Sequence, residues 1–263
     1  MCTSDYFNRC NTYVVNVPNN FWGYQDAYQG DGYVGLVPSE WNSGVGEYLG
    51  FEYIQTKLLQ PLIPCYSYHF SMQVSLANYS KYAYTKLGAL FTEDQFYINN
   101  CDAITETPQV LNTSIFLNDT LNWMTVEGDF TATGNERFLS IGFFYDNVIN
   151  DTLFFQDVPL FPNDVFGYYY IDNVSVVEIG EVEDCGYDLP NVFTPNDDGE
   201  NDLWEYNSPI EGHLEILNRW GTTVYENNGY LHSWNGDDCV DGVYFYTFDS
   251  EQLKRTGFIQ LIR

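Results

Sequence analysis

Positive charge is scarce in this chain. Its 263 residues include nine Lys and Arg against 37 Asp and Glu, so the formal net charge at pH 7 is -28. Binding to phosphate backbones or to anionic lipid depends on clustered cations. The composition therefore excludes electrostatic attachment to nucleic acid or to an anionic membrane surface.

Long apolar runs are also missing. A membrane-spanning helix needs roughly 18 or more consecutive apolar residues, and no stretch of the sequence approaches that length, at its N-terminus or elsewhere. We therefore predict no transmembrane segment.

The motifs of common catalytic sites are absent as well. The sequence has no G-x-S-x-G elbow, no H-E-x-x-H and no G-x-x-x-x-G-K-[ST] phosphate loop. Its imidazole bases are His69, His213 and His232. We expect no enzyme activity, although the paired carboxylates of a glycoside hydrolase leave no sequential signature and stay open as an alternative.

No C-x-x-C pair occurs among the six cysteines. This spacing argues against a zinc site, and the even number argues for disulfides in an oxidising compartment. Sequence alone does not fix their connectivity.

Aromatic residues and short alternating runs are abundant. Phe, Trp and Tyr make up 18% of the chain, and Tyr66 to Leu76 alternates apolar with polar residues, as a half-buried strand does. Further candidate strands are Lys86 to Thr92, Trp123 to Thr131, Phe138 to Phe144 and Tyr168 to Glu178. This density of short strands predicts an all-β chain of two domains, 1–180 and 185–263.

The C-terminal part carries the most specific motifs. They are Leu189-Pro190-Asn191-Val192-Phe193-Thr194-Pro195-Asn196-Asp197-Asp198-Gly199, Asn218-Arg219-Trp220-Gly221, Gly242-Val243-Tyr244-Phe245-Tyr246 and Ile259-Gln260-Leu261-Ile262-Arg263. In order and spacing they resemble the gliding-motility-associated C-terminal domain, the type B sorting domain of type IX secretion cargo in Bacteroidetes. The resemblance implies export to the extracellular or outer-membrane surface, with the type IX translocon and its PorP/SprF-like membrane protein as partners. It also implies a signal peptide in the precursor, so we expect Met1 to begin a fragment.

This domain is expected to be a small immunoglobulin-like β-sandwich of about seven strands. The pattern predicts pairing of His213 to Leu217 with Thr222 to Glu226, and of Gly242 to Phe248 with Gly257 to Ile262 across a charged loop that contains Lys254 and Arg255. Four cations here are the expected docking point for the secretion machinery, unless they only keep an edge strand soluble. They are Arg219, Lys254, Arg255 and Arg263.

Residues of about 10–179 are similar to galactose-binding-like jelly rolls. The similarity rests on Gly30 to Leu36, Glu52 to Leu58, the Tyr66 to Leu76 strand, Trp123 and Tyr170 to Val176. It implies an N-terminal jelly-roll β-sandwich of the kind found in carbohydrate-binding modules.

The aromatic residues of this domain exceed what one core can hold. An exposed ring beside Asp, Asn and Gln is the usual basis of sugar binding, and the alternative is a generic surface. The predicted glycan-binding platform comprises Trp22, Tyr24, Tyr28, Trp41, Tyr82 and Tyr84. The predicted inward-facing core comprises Val34, Leu36, Ile54, Leu58, Phe70, Met72, Val74, Leu87, Ile141, Phe143, Ile171, Val174 and Val176.

Structural calcium is the expected cofactor, because hard oxygen ligands are plentiful and jelly rolls of this kind often carry one. We select Asp31 and Asp172 as ligands, with a turn and a strand cap as their alternative roles. A second, looser calcium site is considered at Asn196, Asp198 and Asp202, where an Asx-locked turn around Gly199 is the alternative.

The positions of the cysteines relative to the two domains favour three pairs. These are Cys185 with Cys239, Cys65 with Cys101, and Cys2 with Cys10.

Three functions fit the sequence. The first is a secreted surface binding or adhesion protein with a glycan-binding jelly roll and a C-terminal sorting domain. The second is an extracellular glycan-degrading enzyme or its accessory module. The third is the terminal stalk and anchor of a larger adhesin.

Overall fold

The computed structural model describes most of the chain. The described residues are 4–38, 40–42, 47–49, 51–97, 103–144, 151–156, 167–182, 189–205, 211–230, 234–250 and 254–263, with only the backbone described for 40–42 and 47–49. Within these ranges every regular element is a β-strand, so the predicted all-β class is confirmed.

None of the described residues forms a helix of the length and apolarity needed to cross a bilayer.

Fifteen strands precede residue 182 in the described part of the chain. They are β1 (Asp5–Asn8), β2 (Asn19–Asn20), β3 (Gly23–Tyr24), β4 (Gly32–Leu36), β5 (Glu40–Asn42), β6 (Glu47–Leu49), β7 (Tyr53–Lys57), β8 (Tyr66–Leu76), β9 (Tyr82–Tyr84), β10 (Leu87–Thr92), β11 (Val110–Leu111), β12 (Met124–Thr131), β13 (Phe138–Phe143), β14 (Thr152–Phe154) and β15 (Tyr169–Glu181). They form a five-stranded sheet in the order β1-β4-β15-β8-β12, a four-stranded sheet in the order β11-β10-β13-β7, and three two-stranded ladders.

The two larger sheets pack face to face. Phe91 on the four-stranded sheet stacks on Phe130 of the five-stranded sheet, with ring centroids 4.4 Å apart, and also contacts Phe70. Phe143 and Tyr169 make a second contact between the sheets at 5.2 Å. Side chains from the facing sides of the two sheets therefore form an aromatic-rich core between them, as the predicted sandwich requires.

The chain divides into two compact units. The first consists of Met1–Leu62 and Ser67–Gly180, and the second of Ile63–Tyr66 and Glu181–Arg263. The short segment Ile63–Tyr66 therefore belongs to the C-terminal unit, which a division by sequence alone does not anticipate. Within that unit the amide of Val182 donates to the carbonyl of Cys65.

The C-terminal unit is built on one five-stranded sheet. Its strands are β16 (Val192–Phe193), β17 (Gly212–Leu217), β18 (Thr223–Tyr230), β19 (Gly242–Asp249) and β20 (Lys254–Leu261), in the order β16-β20-β19-β17-β18. Both predicted hairpins are present, as antiparallel pairs β17–β18 and β19–β20. The sequence predicts about seven strands. Five lie among the described residues.

One face of this sheet is buried. Its apolar side chains pack with residues from the connecting segments, and the buried set comprises Cys65, Phe193, Trp204, Leu214, Ile216, Tyr230, Trp234, Tyr244, Tyr246, Phe248, Ile259 and Leu261. The indole of Trp204 donates to the carbonyl of Pro190 at 2.6 Å, which satisfies the polar atom of a fully buried ring.

Two sequence expectations are corrected here. Lys254 and Arg255 lie within β20 and not in a loop, because β20 pairs with β19 along its full length. Val174 is exposed and not part of the core, since by this point β15 has passed the buried residues Tyr169 to Ile171.

Candidate functional site

The segment around β2 and β3 is fixed by a buried polar network. The side-chain oxygen of Asn20 accepts from the amide of Trp22 at 2.9 Å and from the hydroxyl of Tyr170 at 2.7 Å. Its amide nitrogen donates to the hydroxyl of Tyr33 at 3.0 Å. One asparagine thus connects the turn to two strands of the sandwich, and this restricts the turn to one conformation.

Gln25 holds the next part of the segment. Its side chain is buried, with the Ser75 hydroxyl donating to its Oε1 at 3.0 Å, and its carbonyl accepts from the Tyr33 hydroxyl at 3.0 Å. Because neighbouring residues in an extended chain point to opposite sides, burial of Gln25 leaves Tyr24 and Asp26 in solvent.

Three aromatic rings lie at or near the surface beside this segment. Tyr24 is 53% exposed and Tyr28 is 51% exposed. The half-buried ring of Trp123 meets Tyr28 edge to face at 6.2 Å, and its indole N–H donates to the carbonyl of Asp26 at 3.1 Å. We call Tyr24, Tyr28 and Trp123 the aromatic surface.

Charged groups border the aromatic surface. The guanidinium of Arg9 lies 3.8 Å from a carboxylate oxygen of Asp26 and 3.8 Å from one of Asp31, and all three side chains are at least half exposed. The Tyr24 hydroxyl donates to Asp26 at 3.2 Å. The negative charge of Asp26 raises the pKa of Tyr24, so this phenol is a neutral donor at physiological pH.

Asp172 anchors the other end of the segment. Its Oδ2 accepts from the amides of Tyr28 and Gln29 at 2.8 and 3.1 Å. The carboxylate therefore orients the backbone beneath Tyr28. Asp31 thus forms an ion pair with Arg9, and Asp172 accepts backbone hydrogen bonds. Calcium binding by these two residues stays a prediction.

The other predicted platform residues differ in exposure. Trp22 is half-buried and stacks on Tyr168 at 4.7 Å, and Tyr82 is half-buried against Phe154. The backbone of Trp41 lies in β5, and its side chain lies outside the described residues.

The prediction of Tyr84 as a platform residue is wrong. Tyr84 is fully buried between Phe143 and Tyr169, so its ring cannot face a ligand at the surface. The short strand β9 turns this tyrosine inward, where it adds to the aromatic core.

The acidic loop of the C-terminal unit is closed by its own hydrogen bonds. Oδ1 of Asp202 accepts from the amides of Asn196 and Asp197, and Oδ2 accepts from that of Gly199, all at 2.7 to 2.9 Å. The amide of Gly199 and its neighbours lower the pKa of Asp202. Asn196 and Asp198 each accept a further amide two residues on, which is the geometry of an Asx turn.

Among the described residues, no group of three or more His, Cys, Asp or Glu side chains is arranged to hold a metal ion. The calcium proposed for Asn196, Asp198 and Asp202 stays a prediction as well.

The four predicted docking cations have unlike surroundings. Arg263 donates to the carbonyls of Cys239 and Gly236 at 2.8 and 2.9 Å, which ties down the loop before β19. Arg255 pairs with Glu181 and Lys254 with Asp249. Arg219 is exposed and lies over the ring of Trp220 at 5.6 Å.

Two of the predicted disulfides are wrong. Cys10 and Cys239 are free thiols, which excludes Cys2–Cys10 and Cys185–Cys239 in this structure. Cys65 is disulfide-bonded, whereas Cys101, its predicted partner, lies outside the described residues. Cys65 packs in the C-terminal core, so assigning each cysteine to the nearest domain in sequence is misleading here.

Sequence reasoning missed three residues of the candidate site, which are Arg9, Asp26 and Trp123. Arg9 and Trp123 come from distant parts of the chain and meet the aromatic surface only in the folded protein. Trp123 stood out only as the start of a predicted strand and as part of the jelly-roll similarity, and Arg9 only as a rare cation in an acidic chain.

Residues 187–261 match the family described as CHU_C Type IX secretion signal domain. The C-terminal segment is a type IX secretion signal domain. It marks the chain as cargo of that secretion system, destined for the cell surface or the extracellular space of a Bacteroidetes bacterium, and it implies interaction with the secretion machinery. No curated protein matches the chain.

Two solved structures show distant likeness to the chain. One is the K1 cleaved adhesin domain of Lys-gingipain from Porphyromonas gingivalis W83, with 15% identity, a TM-score of 0.32, and coverage of 68% of this chain and 85% of that one. The other is the tripod from the baseplate of bacteriophage Tuc2009, with 12% identity, a TM-score of 0.28, and coverage of 89% and 82%. Scores this low do not bear on function.

Proposed function

We propose that this type IX cargo binds a glycan at the aromatic surface of its N-terminal sandwich. The observation that carries the proposal is the grouping of Tyr24, Tyr28 and Trp123 with the exposed charges of Arg9, Asp26 and Asp31. The signal domain would deliver this surface to the cell exterior through the type IX translocon and its PorP/SprF-like partner.

The chemistry of the site suits a sugar. A pyranose ring presents an apolar face that stacks on an aromatic ring, while its edge carries hydroxyl groups. The carboxylates of Asp26 and Asp31 can accept hydrogen bonds from these hydroxyls, and the guanidinium of Arg9 can donate to them. The backbone beneath Tyr28 is held by Asp172, so little ordering cost is left to binding.

We propose binding without catalysis. The groups beside the aromatic surface that could act as acid and base are Asp26 and Asp31, and both lie against the cation Arg9. The two carboxyl groups of a glycosidase flank the scissile bond of the sugar, whereas Asp26 and Asp31 both contact the same guanidinium, at 3.8 Å each.

The test is a glycan array probed with the purified chain, followed by affinity measurements on the best ligand. Tyr28→Ala removes a stacking ring, and we expect it to weaken binding about tenfold. Tyr97→Ala is the matched control, because Tyr97 is also exposed on the N-terminal unit but outside this site. Its affinity should equal that of the wild type.

Other outcomes would favour the alternatives. Release of reducing sugar from a bound glycan would show an enzyme. An array without any bound glycan would favour the stalk and anchor. Equal losses of glycan affinity in the Tyr28 and Tyr97 variants would show that the glycan does not bind at the aromatic surface.

A further inference from the structure

The outer face of the C-terminal sheet carries exposed apolar side chains, which is unusual on the surface of so acidic a chain. On β19 the side chains of Tyr244, Tyr246 and Phe248 point into the core, so the alternate residues Val243 and Phe245 point outward. Val243 is 46% exposed and Phe245 is 49% exposed.

The strand register joins these side chains into one patch. Phe245 lies directly opposite Phe258 of β20, which is 47% exposed, and opposite Leu217 of β17. Directly opposed residues of antiparallel strands share a face of the sheet. Val192 of β16 reaches the same face beside Gln260. We call Val192, Leu217, Val243, Phe245 and Phe258 the apolar half of the outer face.

The remaining half of this face is polar. Further along β19, Thr247 lies opposite Thr256 of β20 and Glu215 of β17. Asp249, two residues on, lies opposite Lys254 of β20 and His213 of β17. The apolar character is therefore confined to one end of the face and does not follow from the strands as a whole.

The apolar half continues into a cleft. The cleft has a volume of about 580 Å³, and its wall includes Val243, Val224, Val240 and the turn residues Arg219 and Trp220. Trp220 is 81% exposed, with the Arg219 guanidinium over its ring. Exposed Trp, Phe and Arg side chains in one continuous area are the composition of a protein-binding hot spot.

The ion pairs of the C-terminal unit indicate which of its cations is available to a partner. Within the described part of the C-terminal unit, Lys254, Arg255 and Arg263 each have a carboxylate partner, whereas Arg219 has none. Arg219 can therefore meet an acceptor on a partner without first breaking an ion pair.

We propose that the apolar half of the outer face, together with Trp220 and Arg219, is the surface by which this signal domain docks onto the type IX secretion machinery. The occupant is a protein surface with an apolar pocket for the Trp220 ring and a carboxylate or carbonyl facing Arg219. The proposal rests on the match of residues 187–261 to the signal domain and does not depend on glycan binding.

The experiment expresses the chain behind an inner-membrane export signal in a host with a working type IX system. Immunoblots give the ratio of exported to periplasmic protein. We expect the double variant Phe245→Ser, Phe258→Ser to lower this ratio about tenfold or more. The matched control is Thr247→Ala with Thr256→Ala, on the polar half of the same two strands, which should change the ratio less than about twofold.

Purified protein from each variant separates docking from folding. The double phenylalanine variant should keep its unfolding transition, because its changed side chains are half exposed. Wild-type export of this folded variant would overturn the proposal, as would an equal loss in the threonine control.

Trp220→Ala decides the matter if the double variant does not fold. Its ring stands mostly in solvent at a turn, so its removal should leave folding intact and lower the export ratio. Normal export of Trp220→Ala would then overturn the proposal.

Discussion

The outward residues of β8 and β12 in the N-terminal sheet differ in kind from those of β19 and β20 in the C-terminal sheet. On the N-terminal sheet the outward residues of β8 and β12 are polar, with His69 hydrogen-bonded to Asp129 at 2.6 Å and Gln73 to Thr125 at 3.1 Å. On the C-terminal sheet the outward residues of β19 and β20 include the opposed pair Phe245 and Phe258. Hydrogen-bonded polar side chains need no cover from another protein, whereas the exposed phenylalanine pair is suited to a partner.

The two units also differ in how their cores are closed. Two sheets enclose the N-terminal core, whereas the C-terminal core lies between one sheet and side chains from connecting segments, above all Trp204 and Trp234. We therefore expect the C-terminal unit to depend more strongly on single large side chains, and four predictions sharpen this contrast.

The largest effect is expected for Trp204→Ala. The ring is fully buried and its indole donates to Pro190, so its loss should lower the free energy of unfolding of the C-terminal unit by about 3 to 5 kcal/mol. Denaturant unfolding should show one weakened transition and one unchanged. Trp220→Ala, which removes an exposed ring of the same type, should stay within about 0.5 kcal/mol. Weakening of both transitions would mean that the units unfold together.

The counterpart in the N-terminal sandwich is Tyr169→Phe. The hydroxyl of Tyr169 donates to the carbonyl of Leu117 at 2.9 Å and accepts from the amide of Tyr84 at 2.8 Å. Removing it leaves two buried backbone groups without this partner, and should lower the free energy of unfolding by about 1 to 3 kcal/mol. Calorimetry should show the loss in the N-terminal transition only. Tyr24→Phe, at an exposed hydroxyl, should leave that transition in place.

Substitution of Arg263 and of Arg219 distinguishes a cation that stabilises the fold from one that lies only at the surface. Arg263→Ala removes donors to the carbonyls of Cys239 and Gly236 and should lower the free energy of unfolding of the C-terminal unit by about 1 kcal/mol. Arg219→Ala should change it by less than about 0.5 kcal/mol. Denaturation midpoints of the two variants test this, and equal midpoints would contradict the distinction.

The smallest effect is a pH dependence at Asp202. Backbone amides lower the pKa of this exposed carboxyl, so its stabilisation is present above the ordinary value of about 3.8 and is lost as the pH falls through the lower folded pKa. Asp202→Asn should therefore lower the C-terminal melting temperature at pH 7, and this difference should shrink toward about pH 2.

The same melting experiment, with a chelator or with added calcium, tests the predicted metal. If the amides alone hold the Asp202 turn, the pH profile should be the same in both solutions. A calcium-dependent rise in the C-terminal melting temperature would show that the loop binds the ion.

Alternation in sequence located the strands well. Tyr66–Leu76 is a strand with the predicted bounds, and both C-terminal hairpins pair as expected. Alternation says which residues share a face, but it does not say which face meets another element. The prediction of Tyr84 as a residue of the glycan platform is wrong for this reason, because its sequence pattern is that of a surface strand residue while its side chain is buried.

The candidate site was predictable only in part. Tyr24 and Tyr28 lie in a segment dense in aromatic and polar residues, so composition could suggest them. Trp123 and Arg9 join them through the indole contact with Asp26 and through two ion pairs. Such contacts join residues far apart in the chain, and no local pattern records them.

The position of Cys65 has a practical consequence for fusing the signal domain to other proteins. A tag cut at residue 185 would omit this side chain, which fills part of the C-terminal interior, and would also omit the carbonyl that accepts from Val182. A portable tag would need a larger apolar residue on a neighbouring strand, or Ile63–Tyr66 supplied as a separate peptide, to close that gap.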